Sequence, residues 1–229
     1  MALVFAICAQ SCHKINGTGP VVTETRNVPD FTAINLGIHG NVYYTPGPEY
    51  KVEIHAQKNI IDMLETRVSG SELKLEFNYN KYPGIHDPIE VYITAPSVNG
   101  LTITGSGNIK VTDPVSSADF DMRISGSGSI NIASLTATFL TAKISGSGDI
   151  QVNGGTINGE KVEISGSGGV DLQNVTATSV ETHTSGSGTT RVNVSDDLDV
   201  SISGSGDVYY KGRPAVNTHI SGSGKIIAL

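Results

Sequence analysis

Tryptophan is absent from this 229-residue chain, and its only two cysteines, Cys8 and Cys12, stand near the start. The fold that follows them therefore uses no disulfide, and a cysteine-based metal centre or nucleophile is excluded. Positive charge is scarce: 15 Lys and Arg face 22 Asp and Glu, a formal net charge of −7. No basic stripe exists to meet phosphates, which excludes nucleic acid as a partner. Beyond the first dozen residues no apolar run is long enough to span a bilayer.

Those first residues, MALVFAICAQSC, are apolar and give way to polar HKINGTGP. They read as the tail of a secretory signal without its basic leader. A cysteine directly after such a segment points to lipoprotein processing with Cys12 lipidated, although Ala9-Gln10-Ser11 departs from the usual lipobox, which has Leu near position 9. Plain secretion is the alternative. A lipid on Cys12 is the one membrane attachment the sequence offers.

Glycine, in contrast, is abundant, with 27 residues, and its placement is periodic. The triplet Gly-Ser-Gly occurs seven times, bounded by Gly105 and Gly107, Gly126 and Gly128, Gly146 and Gly148, Gly166 and Gly168, Gly186 and Gly188, Gly204 and Gly206, and Gly222 and Gly224. Successive copies lie 21, 20, 20, 20, 18 and 18 residues apart. A period of this length is the mark of a solenoid. Strand-like alternation flanks every copy. Before the turn the inward pairs are Leu101/Ile103, Met122/Ile124, Ala142/Ile144, Val162/Ile164, Thr182/Thr184, Val200/Ile202 and Thr218/Ile220. After it they are Ile109/Val111, Ile130/Ile132, Ile150/Val152, Val170/Leu172, Thr190/Val192, Val208/Tyr210 and Ile226/Ala228. One register fits every unit.

The turn glycines supply φ > 0 without a Cβ penalty, and a small central residue lets turns stack at a strand spacing of roughly 4.8 Å. One triplet per period of about twenty places the triplets along one edge. The opposite edge is expected to be a looser turn of varied sequence, 112–119, 153–160, 195–198 and 210–216. The fold class is all-β: a single-stranded parallel β-helix with two facing sheets and about 20 residues per coil. Hairpins in a sandwich are the local alternative, but they rarely keep so regular a period. Residues 1–19 form the residual signal segment and linker, 20–104 an irregular N-terminal half of capping coils, and 105–229 the regular stack. The N-terminal half holds most of the aromatics, a possible helical turn at 59–65, and Val68-Ser69-Gly70-Ser71, which looks like a degenerate repeat turn.

An irregular N-terminal β half followed by Ile-Ser-Gly-Ser-Gly-x-Ile-x-Val units resembles the autotransporter adhesin head domain family known from Bacteroidetes. The carrying segments are 124–130, 144–150, 164–170, 202–208 and 220–226, and the resemblance covers about 21–229. It implies a pectin-lyase-like shape, a role in cell adhesion, a place at the cell envelope and self-association into a homo-oligomer. It carries over no catalytic residue.

Two outward ladders carry the polar side chains that flank the turns. Before the turn it is Arg123, Lys143, Glu163, His183, Ser201 and His219; after it, Lys110, Asn131, Gln151, Asp171, Arg191 and Tyr209. A polysaccharide lyase or hydrolase on a β-helix needs clustered carboxylates, and neither ladder has two in succession. Glu163 beside His183 and Asp171 beside Arg191 read as weak surface pairs. The residue after the triplet is Asn108, Ser129, Asp149, Gly169, Thr189, Asp207 or Lys225, and a glycine and a lysine there argue against calcium. No cofactor or metal is expected, and the chain reads as a non-enzyme. The candidate contacts for a glycan or protein ligand are Tyr43, Tyr44, Tyr79 and Tyr82; adjacent Tyr43 and Tyr44 must point to opposite faces. Within the core, Thr182, Thr184 and Thr190 are expected to bond to one another, to backbone carbonyls or to enclosed water, since buried hydroxyls need partners.

Overall fold

The structure is a computed structural model that describes residues 14–78 and 81–229. It is a β-solenoid of two long sheets. Sheet 1 contains the strands that follow the triplets, beginning Asn108–Val111, Ser129–Ile132 and Asp149–Val152. Sheet 2 contains those that lead into them, Gly100–Gly105, Val115–Gly126, Leu135–Gly146, Gly155–Gly166 and Val175–Gly186. All pair parallel and in register from coil to coil. In sheet 2, Ile103, Ile124, Ile144, Ile164, Thr184, Ile202 and Ile220 form one continuous row. In sheet 1 the row is Ile109, Ile130, Ile150, Val170, Thr190, Val208 and Ile226. The inward assignments hold and those residues are buried as far as Val208; Tyr210 is half-buried, and in the last coil Thr218 is exposed and Ile220 remains 41% exposed.

The triplet is fixed by two contacts to the coil beneath. Gly166 has φ +133°, and a Cβ there would lie 2.2 Å from the carbonyl oxygen of Gly146. A Cβ on Gly168 would lie 2.3 Å from the Gly148 oxygen and 2.8 Å from Cγ2 of Ile144. Only hydrogen fits at either place. Between them, Ser167 N–H donates to Gly146 O at 2.9 Å, and its side chain stays exposed. The second glycine thus sits on the γ2 methyl of a β-branched residue one coil below. Thr184 supplies that methyl beneath Gly206 as isoleucines do beneath the other triplets except the first, where Gly107 meets Leu36 Cδ2. Replacing Ile by Thr at this place keeps the steric fit and changes only the other branch.

The far edge differs from expectation. Most of 112–119 and 153–160 is strand, continuing sheet 2 from Val115 and from Gly155. Alternation is broken once per coil: ladder partners run Ala137 with Ile157, then Phe139 with Gly159, so one residue goes unpaired and two in succession face outward. The inward set resumes beyond this break with Phe120, Leu140, Glu160, Val180 and Leu198. The spacing of 18 after Gly186 has its own cause. Thr189–Gly204 is one 16-residue strand that passes from sheet 1 to sheet 2 without a loop.

At the N-terminal end the two sheets continue, but most of the added strands do not form coils. One coil, Ala33–Leu36 and Asn41–Pro46, pairs with Gly100–Gly105 and Asn108–Val111, and Ile38-His39-Gly40 stands where the triplet is elsewhere. Beyond it, sheet 1 adds Glu90–Ala95 in parallel, then Lys51–Gln57 and Val21–Arg26 antiparallel. Sheet 2 adds Glu72–Phe77 in parallel and Leu64–Ser69 antiparallel. The turn at Ser69-Gly70-Ser71 therefore closes a hairpin and is not a repeat turn. A single helical turn, Lys58–Ile61, buries Ile60 and Ile61 over the end of the stack. Antiparallel strands and a helix hide the open edge that a parallel stack presents.

Candidate functional site

Tyr43 and Tyr44 point to opposite faces, as alternation requires. Tyr44 is inside. Its hydroxyl donates to Ala95 O at 3.2 Å, and burial pushes its ionisation up to about 12. Tyr44 is therefore a core residue and is withdrawn as a surface contact. Tyr43 is outside and half-buried, and stacks on Tyr92 in the next strand with centroids 5.0 Å apart and planes 18° apart. His55 lies 4.8 Å from the far side of this pair, centroid to centroid with Tyr92. Tyr82 is exposed, 50%, but belongs to a two-residue ladder with Lys14–Ile15 in a separate small sheet. Tyr79 and Cys12 lie outside the described residues.

Tyr92 is the member that sequence reading left among the aromatics without a role. Register with Tyr43 brings it into the cluster, and that pairing of strands 41–46 and 90–95 is not written in either segment alone. Polar groups hold the cluster in place. Tyr92 Oη donates to Glu90 Oε2 at 3.0 Å, a bond that raises the phenol above its ordinary value. Glu53 takes Lys51 at 2.7 Å and His55 at 2.8 Å, and the Lys51 bond, then that of His55, holds its carboxyl below the usual range. Further along sheet 1 the outer row turns to amides: Asn131 Nδ2 donates to Gln151 Oε1 at 3.0 Å and Asn153 Nδ2 to Asn131 Oδ1 at 3.1 Å.

The outer face of sheet 2 is charged. Glu163 bonds Lys143 at 2.9 Å and lies 3.4 Å from Lys161; the Lys143 bond is the main cause of its lowered ionisation. His183 meets Glu181 at 2.5 Å and not Glu163. Asp171 likewise does not pair with Arg191. It accepts the backbone and side-chain N–H of Gln173, each at 3.1 Å, while Arg191 lies 5.1 Å over the Tyr209 ring. Same-face neighbours two residues apart thus displace the expected partners across the strands. A third outward row, Asp121, Thr141, Lys161, Glu181 and Asp199, went unread, and in it Glu181 and Asp199 are neighbours. They stand on an open sheet face. Among the described residues no group of three or more His, Cys, Asp or Glu is placed to hold a metal ion.

Glu160 was hidden within a presumed turn. It is 2% exposed, sits in register between Leu140 and Val180, and neither carboxyl oxygen has a hydrogen-bond partner. Burial pushes its ionisation up to about 8. Thr182, Thr184 and Thr190 are buried too, and their hydroxyls find no protein partner. The expected bonds to one another or to backbone carbonyls do not form. With Glu160 they are the buried polar side chains of the triplet stack.

Two long sheets with outward rows of polar and aromatic side chains define a β-solenoid. A family model described as "Putative auto-transporter adhesin, head GIN domain" matches residues 30–214, and the chain belongs to that family. Among solved structures, a putative adhesin from Bacteroides fragilis is 26% identical, with a TM-score of 0.89, covering 94% of this chain and all of that one. A putative lipid binding protein from Parabacteroides distasonis is 24% identical with a TM-score of 0.78, over 95% and 100% of the two chains. A putative adhesin from Parabacteroides merdae is 20% identical with a TM-score of 0.77, over 94% and 99%. The last two establish likeness of fold. No curated protein matches the chain. No helix among the described residues is long and apolar enough to cross a membrane.

Proposed function

We propose that this protein is a non-enzymatic component of the bacterial cell surface or envelope that binds glycans or proteins through its outer sheet faces. The observation that carries this reading is the Tyr43, Tyr92 and His55 cluster, kept on the outside of sheet 1 beside the capped end. Aromatic rings held by neighbouring strands and hydrogen bonds offer contact area at small entropic cost, which suits recognition. The adhesin description of the family agrees with it. The N-terminal segment ending in Cys12 supports export and a lipid anchor.

Binding of the purified protein to glycan arrays and immobilised matrix proteins tests the reading. The double variant Tyr43→Ala, Tyr92→Ala is expected to weaken binding by about tenfold or more, since one lost contact of about 1.4 kcal/mol corresponds to that factor. Depolymerisation of a polysaccharide by the purified protein overturns the non-enzymatic assignment. Metabolic labelling with an alkynyl fatty acid, lost in Cys12→Ala, checks the anchor.

A further inference from the structure

We propose that a trough on the outer face of sheet 2, over Gly100, binds a neutral pyranose sugar. This rests on the surface-binding reading above and gives it a second site and a ligand class. The trough exists because one outward row changes character. It runs Glu72, Ala33, Gly100, Asp121, Thr141, and the two central members of its first half have almost no side chain. Elsewhere the sheet 2 face carries long polar side chains, so two consecutive strands without them leave a depression. Glu72 bounds it at one end and Phe139 at the other, with Asp119 and Arg123 along its sides.

Phe139 is 41% exposed, a large apolar ring on an otherwise polar face. It leans over Gly159, where its ring atoms lie 2.9 Å from the place a Cβ would occupy. That contact turns part of the ring toward the strand on the side away from Gly100, and Phe139 still lines the trough. Asp121 is held by Arg123, whose Nε and Nη2 each donate to it at 2.6 Å, so both planar groups are fixed in one orientation. An apolar ring next to fixed planar donors and acceptors matches the C–H face and hydroxyl rim of a pyranose.

Two features exclude other ligands. Carboxylates of Glu72, Asp119 and Asp121 outnumber the two cations beside them, Arg123 paired with Asp121 and Lys74 lying 3.4 Å from Glu72, so uronates, sulfated sugars and phosphate headgroups are disfavoured. The strands under the trough lie inside the sheet, paired on both sides, so an extended peptide finds no free backbone edge to join.

Gly100→Gln is the test. Gly100 does not have a positive φ, and a Cβ there meets the Ala33 Cβ at 3.2 Å, a tight contact that a small shift of Ala33 relieves, and Asp121 O at 3.9 Å, so a side chain fills the trough without entering the core. Arrays and titration calorimetry with neutral hexose and N-acetylhexosamine oligosaccharides are expected to show binding by the native protein. Gly100→Gln should lose it by tenfold or more at an unchanged melting temperature, and Phe139→Ala should weaken it. Uronate-rich and sulfated glycans should not bind. Equal affinity of Gly100→Gln, or preference for acidic glycans, overturns the proposal. If neutral-glycan binding survives Gly100→Gln but is lost in the Tyr43, Tyr92 variant, the trough falls and the surface-binding function stands. If the native protein binds no glycan and no matrix protein, both fall.

Discussion

Coil 33–46 and a mid-stack coil such as 146–166 use the same two sheets but are held by different means. The mid-stack coil is covered on both sides by near copies of itself, and its tightest constraints are backbone to backbone, glycine against carbonyl. The first coil is covered by the parallel strands 72–77 and 90–95, which are covered in turn by antiparallel strands, and beside it lie a helical turn and an edge-to-face pair of Phe31 with Tyr50 at 5.3 Å. Repetition makes the glycine–carbonyl contact recur at the six junctions between seven triplets and leaves little room for a side chain to vary. The cap occurs once and is free to carry bulky, individual residues, which is why the aromatic cluster is there.

The largest effect should come from the turn. Gly166→Val places a β-branched residue at φ +133° with its Cβ 2.2 Å from Gly146 O, and should destabilise by more than about 4 kcal/mol or abolish folding. Gly70→Ala in the cap hairpin, at φ +64° with open space around it, should cost only about 1–2 kcal/mol. Thermal melts decide it, and equal losses would show that stacking is not the constraint. Next comes the core: Ile164→Ala should cost roughly 2–5 kcal/mol by denaturant titration, and Glu163→Ala on the opposite face about 1 kcal/mol or less.

Glu160 sharpens the comparison through pH. In the unfolded chain its carboxyl ionises near 4.5, and in the fold it holds its proton to about 8. Between those values the folded chain carries the extra proton, so this group's contribution falls as pH rises across the window and levels off above it. Glu160→Gln should flatten that part of the melting profile; an unchanged slope would place its cause elsewhere. The smallest effect is expected of Thr182→Val, which keeps the shape and removes a buried, unpartnered hydroxyl, for a gain of about 1 kcal/mol. A lower melting temperature would show that the hydroxyl is in use.

The regular stack was legible because its register repeats: Ile144, Ile164 and Ile202 announce the same face each time. Glu160 was not, because a single unpaired residue per coil shifts the alternation and makes the strand look like a loop. Tyr92 was not, because its neighbours come from a strand nearly fifty residues away. The antiparallel cap was missed for the same reason, since alternation gives a strand its faces but not its direction.

Each triplet after the first rests on the triplet beneath it and on one β-branched side chain of the same lower coil. Gly166 meets Gly146 and Gly186 meets Gly166, with nearly the same distances. Excising residues 146–165 would seat Gly166 on Gly126 as Gly146 now sits there. Length is therefore a modular quantity in this molecule, adjustable by whole coils in steps of roughly 4.8 Å without redesign of any joint. Gene-level duplication or loss of a unit can change how far the last coil stands from the capped end while leaving the cap itself untouched.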